Sequence, residues 1–155
     1  MAQSALAVGH GTIDAQHRAM LSHMDQLARC ATAGDVMGTA VALNGLWDET
    51  IAHFAFEEDL MLEHAFPERE AHRMAHHFFL ADLQALMLSL RQVGLSEEVA
   101  TWARQDVEDW FTFHIGANDA TLALFVVRRT AARIVASARG EVPAEPRRSD
   151  PVWRH

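Results

Sequence analysis

The chain has no tyrosine, one cysteine and, before its last fifteen residues, a single proline. Alternating β-branched runs are also few, so strand signals are nearly absent and an all-α class is the expectation. Cys30, as the lone cysteine, can form no intramolecular disulfide, which fits a reducing cytosol and a space-filling role on the first helix. No apolar run approaches a membrane span: TLALFVV, the longest, is followed at once by Arg128 and Arg129. The start MAQSALAVGHG lacks the basic region and sustained apolar stretch of a signal peptide. A soluble cytoplasmic protein is therefore expected. The formal charge of −8 argues against nucleic acid and anionic membrane as partners, since both are held mainly by cationic side chains. With 155 residues, half of them apolar, the chain is long enough for one domain with a buried core and too short for two ordinary ones.

Four helical segments follow from the spacing of apolar residues. The first starts near Thr12, a candidate cap, and carries Ile13, His17, Met20, Leu21, Met24, Leu27, Ala28 and Ala31 at helical spacing before ending around Gly34. The second follows Gly34 and Asp35, with Leu43, Leu46, Trp47, Thr50, His53, Glu57, Leu60, Met61 and His64 on one side, and must stop near Pro67. The third runs from about Glu68 to Val93, with His72, His76, Phe79, Leu83, Leu86, Met87 and Leu90 as its stripe and Gly94 closing it. Ser96, followed by glutamates, predicts the cap of a fourth, whose stripe is Val99, Ala103, Val107, Trp110 and His114. Short connections between long helices predict an up-down-up-down antiparallel four-helix bundle. A helical pattern from Thr121 to Ala138 either extends the fourth helix or folds back as a fifth, completing a domain over 1–138; the proline- and arginine-rich residues 139–155 read as a flexible tail.

The chemistry lies in the polar residues that interrupt apolar stripes. Every helix turns at least one imidazole inward: His17 on the first, His53 with Glu57 on the second, His72 and His76 on the third, His114 on the fourth. Residues four apart share a helix face, so His53 with Glu57, and His72 with His76, can each present two ligands to one point. Taken singly, His17 fits a hydrogen-bonded core histidine and Glu57 a solvated helix residue. Jointly they do not: five imidazoles and a carboxylate buried without partners would cost about 1–3 kcal/mol each, against a total stability of about 5–15. A metal satisfies them together. Five imidazoles exceed a tetrahedral zinc site, cysteine is absent from the set, and imidazole with a bridging carboxylate suits iron better than calcium or magnesium. The chain contains neither HExxH nor Glu-x-x-His, which removes a zinc-protease motif and the carboxylate-rich di-iron motif of ferritin-like bundles.

The elements GHGTIDAQHRAML, HFAFEED, HRMAHHFF and WFTFHIGAND, in that order over roughly residues 8–120, resemble the bacterial hemerythrin family. The resemblance implies a ligand set of His17, His53, Glu57 rather than Glu58, His72, His76, His114 and Asp119. Asp119 enters only through it, because five positions along a regular helix turn a side chain about 140° away from His114. Both can face one centre only if the helix widens or unwinds around Gly116. The resemblance further implies two non-haem iron ions, oxo- or hydroxo-bridged. His72, His76 and His114 hold one, His17 and His53 the other, and Glu57 and Asp119 bridge them. Dioxygen would then bind reversibly at the open position on the His17/His53 iron, behind a wall of Trp110 and Phe111, with Phe54, Phe56 and Met20 as lesser candidates.

The implied function is oxygen carriage, storage or delivery rather than catalysis, with dioxygen as ligand and an oxygen-consuming enzyme or a second copy of the chain as partner. The alternatives are a redox or oxygen sensor signalling through the C-terminal extension, and a di-iron peroxide or nitric oxide reductase. Glu58, Asp59 and His77 read as surface, and His64, two turns beyond Glu57, has no assigned role. The short arm MAQSALAV and the 121–155 extension depart from the family core.

Overall fold

A computed structural model of the protein describes residues 6–140. Helix α1 spans Gly11–Ala33, α2 Val36–Glu63 and α3 Arg69–Val93. The fourth, α4, is one unbroken helical rod over 97–138, built of Glu97–Thr101, a wide π turn Trp102–Asp106, Val107–His114, a second π turn Ile115–Asp119, and Ala120–Ala138. The connections are two, five and three residues long, so successive helices run antiparallel and the fold is the expected four-helix bundle.

The ends are set by local chemistry. His10, not Thr12, caps α1: its Nδ1 accepts from the Ile13 N–H at 3.5 Å, and Thr12 lies inside the first turn. Gly34 then closes α1 in the left-handed region at φ 70°, where its N–H bonds back to Ala31 and Cys30. Asp35 caps α2 by accepting from the Gly38 N–H at 2.9 Å. Removing that acceptor with Asp35→Ala is expected to cost about 1 kcal/mol of unfolding free energy, read as a lower urea midpoint at unchanged slope. Ser96 Oγ accepts from the Val99 N–H at 3.3 Å, as its position predicts.

The main core is a column of Met20, Met24, Leu27, Leu43, Leu46, Phe79, Leu83, Val107 and Phe111, with other apolar side chains around it. A separate small cluster of Met61, Phe66, Leu122 and Val126 anchors the start of the C-terminal extension to the α2–α3 corner. The extension therefore continues α4 and does not fold back. His23 accounts for one glycine: a Cβ at Gly45 would stand 2.5 Å from the His23 ring, so the missing side chain is what lets α1 and α2 approach there. The tail 141–155 lies outside the described residues, and no described helix is long and apolar enough to cross a membrane.

Candidate metal centre

All seven side chains singled out in the sequence meet in the middle of the bundle, and each is at most 3 % exposed. Helical spacing explains six of them. Ile13, His17 and Met20 share the inward stripe of α1, so the imidazole is held between two fully buried apolar residues. His53 and Glu57 occupy consecutive turns of α2, and His72 and His76 those of α3.

Asp119 arrives by a different route. From Ile115 to Asp119 the helix widens so that backbone bonds close over five residues, which restores alignment between positions five apart. Asp119 is fully buried, its Oδ1 3.1 Å from His114 Nε2 and its Oδ2 3.1 Å from His17 Nε2. The widening falls where Asp119 requires it. The earlier π turn at Trp102–Asp106 was not signalled by the apolar stripe.

The Nε2 atoms face inward on the two carboxylates. His72 Nε2 lies 3.3 Å from Glu57 Oε2 and 3.2 Å from Asp119 Oδ1, His76 Nε2 lies 3.3 Å from Glu57 Oε2, and His53 Nε2 lies 3.7 and 3.8 Å from Glu57 and Asp119. The donors fall into two sets, Glu57 with His72, His76, His114 and Asp119, and His17 with His53, Glu57 and Asp119; within each, one donor atom per residue lies within 4.8 Å of all the others. Both carboxylates belong to both sets.

Burial pushes the Glu57 carboxyl up, but the His72 and His76 imidazoles facing it at 3.3 Å outweigh burial and leave the group below its ordinary range. The same contest holds Asp119 well below its range, burial being opposed by His114, His17, His53 and His72. Burial lowers His72 while the facing carboxylates of Asp119 and Glu57 raise it, with a net rise to about 9. For His76 burial prevails and its pKa falls. Two ionised carboxylates in a dry core thus demand positive charge between them. His53 Nε2, His76 Nε2, both Glu57 oxygens and Asp119 Oδ1 crowd together without making a hydrogen bond of good geometry. Inward-facing nitrogen and oxygen donors left without good hydrogen bonds around two negative charges fit metal cations.

Three rings are steadied from outside. His53 Nδ1 lies 3.2 Å from Gln16 Oε1, His76 Nδ1 3.3 Å from Glu58 Oε1, and the Asn118 side-chain amide 3.3 Å from His114 Nδ1. Bonds of this kind fix ring orientation and keep Nε2 aimed inward. Sequence reasoning missed this layer. Glu58, expected at the surface, does bind Arg73 there but also reaches back to His76. The available signal was position: Gln16 precedes His17, and Asn118 lies one turn beyond His114. Asp59 and His77 are exposed as expected.

The aromatic wall is placed differently from the expectation. Phe111 is fully buried and meets the His17 ring edge-on at 5.5 Å, so it does border the His17/His53 side. Trp110 does not; it stacks on His114 at 4.5 Å and on Phe79 at 4.0 Å, because the next residue along a helix is turned by about 100°. Phe54 stacks on His76 at 3.7 Å, Phe56 sits near His10 at 5.8 Å, and Met20 belongs to the core column. His64 is buried at the end of α2 and joins neither donor set. On the α3 side a cleft of about 310 Å³, lined by Phe66, Glu68, Ala71, His72, Ala75, Phe113 and Asn118, brings the surface to the edge of His72.

Known proteins are similar to this chain over the same span. Residues 8–124 match the family described as hemerythrin HHE cation binding domain. A bacteriohemerythrin of Stenotrophomonas maltophilia is 30% identical over 121 residues, covering 78% of this chain and 77% of that protein. A bacteriohemerythrin of Pseudomonas aeruginosa is 28% identical over 118 residues, 76% of this chain and 75% of that protein. A hemerythrin-like protein of Naegleria gruberi is 28% identical over 116 residues, 75% of this chain and 84% of that protein. The matched span takes in the first three helices, the fourth as far as residue 124 and every member of both donor sets, and the chain belongs to the hemerythrin family of cation-binding domains.

Proposed function

We propose that this chain binds dioxygen reversibly at a non-haem di-iron centre and serves as an oxygen carrier, store or source of delivery. The observation that carries this reading is the partition of seven buried donors into two sets sharing both carboxylates. His72, His76 and His114 would hold one iron, His17 and His53 the other, and Glu57 and Asp119 would bridge them. A bound iron pair supplies the electrons that hold dioxygen without consuming it.

The protein's part is to bind, orient and exclude water. Three imidazoles serve one position and two the other, so the shortfall of one donor, and hence the room for a small ligand, falls on the His17/His53 side. Phe111, fully buried, meets His17 edge-on and keeps water and protons away from that side. Gln16, Glu58 and Asn118 hold three of the rings in their inward orientation. Oxygen leaves as it entered, so on this reading the chain is no enzyme.

Iron titration of the metal-free chain tests the assignment, with two irons per chain expected. In His17→Ala oxygen uptake should vanish while the three-histidine position still retains iron; unchanged oxygen binding in that variant would refute the site. Asn118→Ala leaves all seven donors in place, and its iron affinity should fall by about ten- to a hundredfold in competition with a chelator.

A further inference from the structure

We propose that the exposed face of the C-terminal half of α4 pairs, antiparallel and about a twofold axis at Ala131, with the same face of a second copy of this chain. The segment Ala120–Ala138 is amphipathic twice over. Leu122, Ala123 and Val126 are its buried residues and sit on the bundle. At 3.6 residues per turn, Leu124, Val127, Ala131, Ile134, Val135 and Ala138 fall within an arc of about 100° whose centre is turned roughly 120° from the buried side, where a solvated helix should be polar. These apolar side chains are open: Leu124 is 50%, Val127 51%, Ile134 65% and Val135 50% exposed. Beyond Val126 no residue of this helix is buried. A helical stretch of that length is marginal in water without a packed face.

The face is complementary to itself. Leu124, Val127, Ala131, Ile134 and Ala138 recur at alternating steps of three and four, the spacing of a coiled-coil seam. With two antiparallel copies centred on Ala131, Leu124 of one copy is level with Ala138 of the other, Val127 with Val135, and the alanines meet on the axis, with Ile134 flanking them. Large residues thus face small ones at the ends, and the axis admits a close approach.

Charge selects the register, because two copies of an arginine-bearing helix need acids alongside them. Residues 120–140 hold four arginines and no acid, whereas residues 1–119 hold eighteen acids and six arginines. The excess acid of the bundle disfavours an anionic membrane and favours an acidic protein surface as the cover. The antiparallel register supplies that surface. It brings Arg139 of one copy level with the root of the extension in the other, where Phe125 packs on Phe66 with ring centroids 5.2 Å apart. Glu63 and Glu68 stand exposed at that corner, and neither bonds an arginine among the described residues.

The seam is two heptads long, at the small end of specific interfaces, so the pairing should depend on concentration in the micromolar range. Sedimentation equilibrium of the full chain from about 1 to 300 µM should show the mass rising from one chain to two. Ile134→Glu, on an exposed position, should weaken the pairing at least about tenfold with helicity and thermal midpoint unchanged. Orientation is read by diamide crosslinking in a Cys30→Ala background. Ala131→Cys should form a dimer, Leu124→Cys and Ala138→Cys should each fail alone, and their mixture should crosslink. A wild-type chain monomeric throughout the range overturns the proposal, as does equal crosslinking of all three single cysteines, which marks a parallel pair. Binding of a monomeric chain to phosphatidylserine vesicles, lost in Ile134→Glu, would overturn it in favour of a membrane.

Discussion

Chelating the metal out of the loaded protein is expected to lower its thermal unfolding midpoint by roughly 10 °C. Without cations the centre of the bundle holds two carboxylates at 0 % exposure, and five inward-facing polar atoms of His53, Glu57, His76 and Asp119 make no hydrogen bond of good geometry. Each such atom costs about 1–3 kcal/mol. His72, whose pKa is raised to about 9 by the facing carboxylates of Glu57 and Asp119, offsets part of this, and a deficit on the order of several kcal/mol is left. For a domain of this size each kcal/mol moves the midpoint by about 2–4 °C. Calorimetry with and without chelator measures the difference. A midpoint indifferent to metal would mean that the seven side chains satisfy one another, against the poor hydrogen-bond geometry found here.

Phe111→Ala is expected to cost about 3–5 kcal/mol of stability and, in the iron-loaded protein, to shorten the life of the oxygenated state. The ring is fully buried, belongs to the core column and meets His17 edge-on, so one side chain serves both packing and exclusion of water. The two roles separate in Phe111→Leu, which keeps most of the volume and should lose less stability while still exposing the His17 edge. Urea denaturation reads the first effect and decay of the visible spectrum in air reads the second. If neither variant changes the decay, Phe111 is core and nothing more.

Much of this was legible in the sequence, for identifiable reasons. His53 with Glu57 and His72 with His76 are local pairs, and helix geometry alone puts each pair on one face. His17 and His114 stand on apolar stripes that the bundle must bury. Asp119 was not legible from periodicity, because a π turn changes the period within the five residues that matter; only the resemblance to a family carried it. The first π turn, at Trp102–Asp106, had no counterpart in the reading, since Val99, Ala103 and Val107 lie inward with or without it. The supporting bonds of Gln16, Glu58 and Asn118 escaped because each is a polar residue on a partly exposed face, indistinguishable in sequence from a solvated neighbour. Trp110 stacks on His114 and not beside His17 because adjacent helical residues, such as Trp110 and Phe111, cannot line one wall.

One observation bears on the central claim more directly than any substitution. The iron-loaded protein is reduced without oxygen, oxygen is admitted and then withdrawn, and the visible spectrum is followed through repeated cycles. If seven donors split three histidines to two hold a pair of irons behind an apolar wall, an oxygenated band should rise, persist and vanish on each cycle with little loss. Conversion to a ferric spectrum within seconds of the first exposure, with no recovery when oxygen is removed, would contradict reversible carriage.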